Sequence, residues 1–129
     1  MSRVWIGEEL ALAIHELQLV EHGGIAGIRD LGLLQSELAR PRNRAAYRDV
    51  PTVFELAAAY GYGIVGNHPF NDGNKRTGFV VCAVFVELNG WRLEAAEADA
   101  AVTFMALAAG SLNEAELAVW LEKNCRESP

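Results

Sequence analysis

The chain has 129 residues, which suits one domain and is too short for two independent hydrophobic cores. Its composition, 51% hydrophobic and 22% charged, excludes a disordered or collagen-like chain. The formal net charge of −6 argues against a nuclease and against direct nucleic-acid binding, because such proteins need clustered Lys and Arg. We therefore expect a single domain over residues 1–129.

Neither a disulfide framework nor a membrane span is expected. Cys82 and Cys125 belong to no disulfide or metal-ligand pattern, and His15 with His22 lacks the third ligand that a zinc site needs. The N-terminus has no apolar signal region, and no stretch reaches about 18 uninterrupted apolar residues. We expect a cytoplasmic protein with no membrane partner.

The first part of the chain predicts two helices. Apolar residues recur at helical spacing over residues 7–21, and the Gly23–Gly24 pair ends that segment. Asp30 is predicted to cap a short second helix, which Pro41 closes. Residues 40–49 then form a polar link rich in arginine.

The middle of the chain predicts two helices separated by a loop. Thr52 and Glu55 form a capping-box pattern that begins a third helix, and this helix should end at or before His68 because Pro69 follows. After a loop over residues 68–73, an almost continuously apolar segment begins at Asn74. We expect this segment to be the buried central helix.

The last part of the chain predicts two more helices. One covers residues 97–109, and a second capping-box pattern, Ser111 with Glu114, begins the last. The resulting fold is all-α, a compact bundle of six helices around one buried central helix. A short flap or β-hairpin is expected near residues 23–29, which are rich in glycine and irregular.

The chemistry is concentrated in the segment from His68 to Arg76. A loop that runs into a helix N-terminus offers unpaired N–H groups, and Gly73 allows the positive φ that lets such groups converge on an anion. Lys75 and Arg76 oppose the helix dipole in the first turn, so a bound phosphate would compensate them.

Two further side chains in this segment complete a site for phosphoryl or nucleotidyl transfer. Beside a phosphate, Asp72 is suited to hold Mg²⁺, and His68 is suited to accept a proton at neutral pH. Each residue also has a simpler interpretation. Asp72 could cap the helix, and His68 could be a helix-terminal or core histidine. Lys75 and Arg76 could be solvated surface charges. All of these simpler interpretations would have to hold at once within nine residues, so the sequence favours a site for phosphoryl or nucleotidyl transfer.

Residues His68–Arg76 resemble the signature of the Fic/Doc family, and specifically its death-on-curing (Doc) branch of type II toxin–antitoxin toxins. The shared pattern is a His, an aromatic residue two positions on, an acidic residue two further, then a small residue, Asn, Lys and Arg. The resemblance covers nearly the whole chain, including the Gly24–Arg29 region and the Asn89–Gly90 helix stop. It implies a small all-α bundle in which residues 24–29 form a flap for the target segment.

The resemblance also implies ATP and Mg²⁺ as cofactors. His68 matches the family's catalytic base, and Asp72 matches its Mg²⁺-binding carboxylate. The remaining matches are the anion-binding and phosphate-holding positions at the start of the next helix: Gly73, Asn74, Lys75 and Arg76.

Two departures from the family pattern bear on the reaction. Adenylylating members carry Gly at the position of Lys75 and a second Arg at the position of Phe79. This chain has Lys75 and Phe79 in place of that Gly and that Arg, which favours the Doc branch. In that branch the γ-phosphoryl of ATP passes to a Thr or Ser of elongation factor Tu, and translation stops. AMP transfer to a protein hydroxyl, or a non-catalytic module that binds nucleotide or a partner, stay open as alternatives. Val80 stands where the Doc prototype would carry a polar residue.

Restraint of a toxic activity is expected to come from a second protein. Many Fic proteins inhibit themselves through a helix whose motif ends in Glu-Gly or Glu-Asn, and no Glu in this chain is followed by Gly or Asn. The resemblance therefore implies a cognate antitoxin as a partner, alongside the protein substrate.

Overall fold

The computed structural model describes residues 2–46 and 50–129, and in these residues the all-α prediction is confirmed. One short antiparallel sheet accompanies six helices. The helices are α1 (Glu8–His22), α2 (Leu31–Ala45), α3 (Val53–Asn67), α4 (Asn74–Leu88), α5 (Glu97–Ala109) and α6 (Glu114–Asn124), and the strands are β1 (Trp91–Leu93) and β2 (Cys125–Glu127). None of the helices described is long and apolar enough to cross a membrane.

The central helix is α3, and the prediction that the helix from Asn74 takes this place is wrong. Eleven of the fifteen residues of α3 are buried, against seven of fifteen in α4. The small residues Ala57, Ala58 and Gly61 let α2, α4, α5 and α6 approach α3 from several sides. The apolar side chains of α4 are only half-buried where they face the cavity described below, which explains why its sequence is apolar without full enclosure.

The predicted N-terminal cap is present on α3 but not on α6. Thr52 and Glu55 form the predicted capping box of α3. The second predicted box is wrong, because α6 is capped by Asn113, which accepts from Glu116 N at 2.8 Å while the Glu116 carboxylate accepts from Asn113 N at 2.9 Å. Ser111 instead donates its hydroxyl to Ala106 O at 3.2 Å and so completes the end of α5.

Pro41 does not close α2, which continues to Ala45. A proline inside a helix leaves the carbonyl four residues earlier without its helical N–H donor. Here Pro41 is buried against the core, and Arg42 and Arg44 lie in the last turn, where cations interact favourably with the helix C-terminus. Residues 40–45 of the predicted link are therefore helical, and residues 47–49 lie outside the described part of the chain.

Residues 23–29 form no β-hairpin, which corrects that part of the prediction. The segment is irregular, and Ile28 makes one isolated antiparallel bridge with Phe70. The sheet lies elsewhere: β1 pairs with β2 in a register that joins Trp91 with Glu127 and Leu93 with Cys125. Strands of three residues carry too little alternation to be predicted from sequence.

Two glycines of α3 provide a matched test of its packing. A Cβ at Gly61 would lie 2.5 Å from Cys82 Sγ, whereas a Cβ at Gly66 meets nothing within 4 Å. Overpacking costs about 1–3 kcal/mol, and Gly→Ala in a helix recovers about 1 kcal/mol. We expect Gly61→Ala to lower the free energy of unfolding by about 1 kcal/mol and Gly66→Ala to raise it by up to about 1 kcal/mol. Urea titrations measure both, and equal effects would contradict this packing.

Candidate active site

The loop between α3 and α4, residues 68–73, opens onto a cavity of about 1090 Å³. The structure brings all six residues predicted from the sequence to its wall: His68, Asp72, Gly73, Asn74, Lys75 and Arg76. The loop is short because α3 ends at Asn67 and α4 begins at Asn74, as predicted.

His68 reverses the chain at the end of α3. Its φ of 50° and ψ of 59° are left-handed, and among the described residues it is the one non-glycine residue with a positive φ. Its N–H donates to Ile64 O at 3.2 Å, which closes the last turn of the helix. The side chain is exposed and lines the cavity, so its imidazole is accessible to a substrate.

Asp72 is held by backbone donors on both carboxylate oxygens. Ile25 N donates to Oδ2 at 3.0 Å, and Gly73 N donates to Oδ1 at 2.9 Å. Both bonds lower the pKa of Asp72, and the bond from Ile25 has the larger effect. The nearby Arg76 and His15 lower this pKa further. Asp72 is therefore an exposed, ionised carboxylate at the cavity, and each of its oxygens can accept a further bond.

Asn74 uses its side chain to close the loop. Its Oδ1 accepts from Phe70 N at 3.0 Å, and its Nδ2 donates to Phe70 O at 3.0 Å. The side chain is buried and both its polar atoms bond Phe70, so the group that Asn74 can offer to an anion is its backbone N–H in the first turn of α4. Phe70 is also buried, so it anchors the loop in the core.

The start of α4 has the electrostatics of an anion site. Gly73 precedes the helix with a φ of 76° and no side-chain cap, so the first N–H groups of α4 have no helical acceptor. Lys75 and Arg76 are exposed at the cavity, and neither belongs to an ion pair in the described parts of the chain. Helix dipole and side chains therefore both favour a negative ligand.

His15 is a contributor that sequence reasoning missed. Its Nε2 lies 2.8 Å from Asp72 O, and its ring stacks on Phe70 with centroids 3.8 Å apart and planes 8° from parallel. The residue is buried beneath the loop, while His22 is exposed at the cavity, so the two do not form a metal pair. The contact joins positions 57 apart in sequence, and no local pattern reveals it.

Residues 23–29 run along the outside of the loop. Asn71 N donates to Gly27 O at 3.1 Å, and Asn71 Nδ2 donates to Ala26 O at 3.1 Å. The approach requires glycine at position 24, because its φ is +125° and a Cβ there would lie 2.8 Å from Asp72 Oδ2. The segment therefore lies where the predicted flap would be, without forming a hairpin.

Another part of the cavity lining is apolar. It is built from Phe79 and Val80 of α4 and from Ala101, Phe104 and Met105 of α5. Phe79 packs edge-on against Phe104, with ring centroids 5.4 Å apart. The cavity thus has a cationic end and an apolar wall, an arrangement that suits a ligand joining phosphate to an organic group.

An imidazole, an ionised carboxylate and a helix N-terminus with two cations lie on one cavity, and this combination is typical of helical proteins that catalyse phosphoryl or nucleotidyl transfer. Comparison with known proteins agrees with this class. The model of the Fic/DOC family matches residues 5–86, which include the loop and most of α4. The chain belongs to the Fic/Doc family.

Two curated proteins named Doc are similar to this chain. It is 33% identical over 85 residues to "Protein kinase doc" of Escherichia phage P1, and the aligned part is 66% of this chain and 68% of that protein. It is 36% identical over 77 residues to "Toxin Doc" of Mycolicibacterium smegmatis, and the aligned part is 59% of each.

The hydrogen bonds to Asp72 predict a pH-dependent contribution to stability. Because its folded-state pKa is lowered, Asp72 stabilises the fold above its unfolded pKa, and that contribution disappears as the pH falls through the folded value. We expect the difference in free energy of unfolding between the native chain and Asp72→Asn to be constant above about pH 5 and to shrink below about pH 4. Urea titrations at several pH values measure it, and a pH-independent difference would contradict the two bonds.

Proposed function

We propose that this chain is a Doc-type toxin, a protein kinase that transfers the γ-phosphoryl group of ATP to a Ser or Thr hydroxyl. The observation that carries the proposal is the convergence of His68, Asp72 and the cationic start of α4 on one cavity. The name of the phage P1 relative, a protein kinase, supports phosphoryl transfer in this part of the family.

The residues present fit ATP and Mg²⁺. Asp72 is an exposed carboxylate kept ionised by backbone donors, and Mg²⁺ in phosphoryl-transfer sites is commonly held by one or two carboxylates together with phosphate oxygens. Lys75, Arg76 and the first N–H groups of α4 would hold the phosphates. When bound, Mg²⁺ supplies neutralisation of the charge on the phosphate oxygens.

In the proposed reaction the imidazole of His68 accepts the proton of the target hydroxyl. The hydroxyl oxygen then forms a bond to the γ-phosphorus, and the bond between that phosphorus and the β,γ-bridging oxygen breaks, releasing ADP. Lys75 and Arg76 face the charge that spreads over the transferred group, so they stabilise it electrostatically. His68 releases its proton to solvent after the phosphorylated product leaves.

Phe79 supports γ-phosphoryl transfer over AMP transfer. Adenylylating Fic enzymes place a second phosphate-binding Arg at this position, whereas the Phe79 side chain here packs on Phe104 and offers no cation. Lys75, which replaces a glycine of those enzymes, adds a cation one turn earlier. The difference moves the positive charge toward the start of α4, where the transferred phosphate would be bound.

The target and the partner of the toxin belong to the same proposal. The Doc resemblance supports elongation factor Tu as the phosphorylated protein, with translation halted as the result. A cognate antitoxin that covers the cavity would neutralise the activity, since the chain lacks the Glu-Gly or Glu-Asn motif of self-inhibiting Fic proteins. The phosphate-binding end of the cavity is exposed, so a partner could reach it.

Labelled ATP tests the proposed reaction. The purified chain is incubated with Mg²⁺, elongation factor Tu and ATP labelled at either the α- or the γ-phosphate. We expect label from the γ-phosphate only, and we expect His68→Ala to reduce the rate by roughly 10²–10⁴-fold, the usual contribution of a general base. Asp72→Asn should raise the Mg²⁺ concentration needed for half-maximal rate.

Glu122→Gln is the matched control, because Glu122 is an exposed carboxylate on α6 that does not line the cavity. Circular dichroism confirms that each variant is folded. Transfer of label from the α-phosphate would show an adenylyltransferase instead. Binding of ATP without transfer to elongation factor Tu or to any protein of a cell lysate would show a non-catalytic module.

A further inference from the structure

Arg29 joins residues 23–29 to the end of α3 through two side-chain hydrogen bonds. Its Nε donates to His68 O at 2.6 Å, and its Nη2 donates to Asn67 O at 2.6 Å. One guanidinium therefore bridges two consecutive carbonyls across more than 35 positions of sequence. Nothing in the proposed reaction uses Arg29 directly, since it does not line the cavity.

The geometry requires a guanidinium. The last carbonyls of a helix have no helical N–H partner and carry a partial negative charge, so a cation that donates hydrogen bonds is favoured there. A guanidinium presents several N–H groups in one rigid plane and can bond both carbonyls at once, whereas a lysine ammonium is a single point on a flexible stem.

His68 needs an external restraint because its own conformation is unfavourable. Its backbone is left-handed with a φ of 50°, a region that non-glycine residues occupy only when surrounding contacts hold them there. Its imidazole makes no hydrogen bond within the described residues, so no such bond orients the ring, and the backbone conformation sets the direction in which the side chain leaves the chain.

Two further hydrogen bonds hold the residues next to these carbonyls. Asn67 Nδ2 donates to Glu37 Oε1 at 2.7 Å, and Glu37 is buried on α2. Arg29 N donates to Pro69 O at 2.7 Å, a backbone bond that any substitution at Arg29 except proline retains. A substitution at Arg29 therefore removes the two side-chain hydrogen bonds to the carbonyls and leaves the bonds of Asn67 and Pro69 in place.

We propose that Arg29 is a positioning residue, which holds His68 in the left-handed conformation that presents its imidazole to the cavity. This inference rests on the proposed role of His68 as the base. It assigns to residues 23–29, besides their contact with Asp72, control over the direction of that base.

Nuclear magnetic resonance tests the positioning without any assay of activity. Arg29→Lys keeps the charge and removes the two-pronged contact. Arg92→Lys is the control, because Arg92 is an exposed arginine of β1 whose guanidinium lies 3.5 Å from the Glu94 carboxylate, away from the cavity. We expect Arg29→Lys to shift the His68 Cα resonance away from its left-handed value and to lower its heteronuclear NOE. Gly73 and Asn74 should keep their resonances. An unchanged His68 in Arg29→Lys overturns the proposal.

Kinetics then separates positioning from general stability. We expect Arg29→Lys to lower kcat by about 10-fold to 100-fold, the scale of a misplacement near 1 Å, with KM for ATP unchanged within about twofold. Arg92→Lys should match the native chain. A kcat that is unchanged, or a KM for ATP that rises with the fall in kcat, overturns the proposal. If the native chain itself transfers no phosphate, the proposed function fails, and the resonance measurement still decides whether Arg29 positions His68.

Discussion

The site depends on one buried amide. Asn74 pairs both polar atoms of its side chain with the backbone of Phe70, and this reciprocal pair fixes the width of the loop between α3 and α4. Phe70 itself is buried, so the pair ties the loop to the core. A buried amide is costly when its partners are lost, so loop conformations that break this pair are disfavoured. Asp72 lies between the two paired residues, so the pair restrains its backbone.

The loop between α3 and α4 is also held by segments distant in sequence. Ile25 N bonds the Asp72 carboxylate, Arg29 bonds the carbonyl of His68, and His15 lies against Asp72 O and the ring of Phe70. These contacts come from α1 and from the residues before α2, so the site is assembled from three regions of the chain. Backbone groups make many of them, which leaves the imidazole and the two cations exposed to a substrate.

The fold follows the sequence where signals are local and departs where they are tertiary. Thr52, Glu55 and Pro69 set both ends of α3 because capping and the restriction before proline act within four residues. Pro41 lies inside a helix because burial and favourable end charges outweigh one lost hydrogen bond. The sequence of α4 is apolar like that of a central helix, yet part of its apolar surface lines a cavity. Hydrophobic periodicity cannot distinguish residues that line a cavity from residues in a core.

The sequence by itself determined the family and the six-helix class. It also identified the residues of the loop, because the residues from His68 to Arg76 are contiguous and form a recognisable motif. Tertiary structure alone decided what holds them. Three residues hold the loop from about 40 to 60 positions away in sequence: His15, Gly24 and Arg29. Helix packing brings them within contact distance, and spacing along the chain does not reveal this. Local rules reach one helical turn, and these contacts lie beyond it.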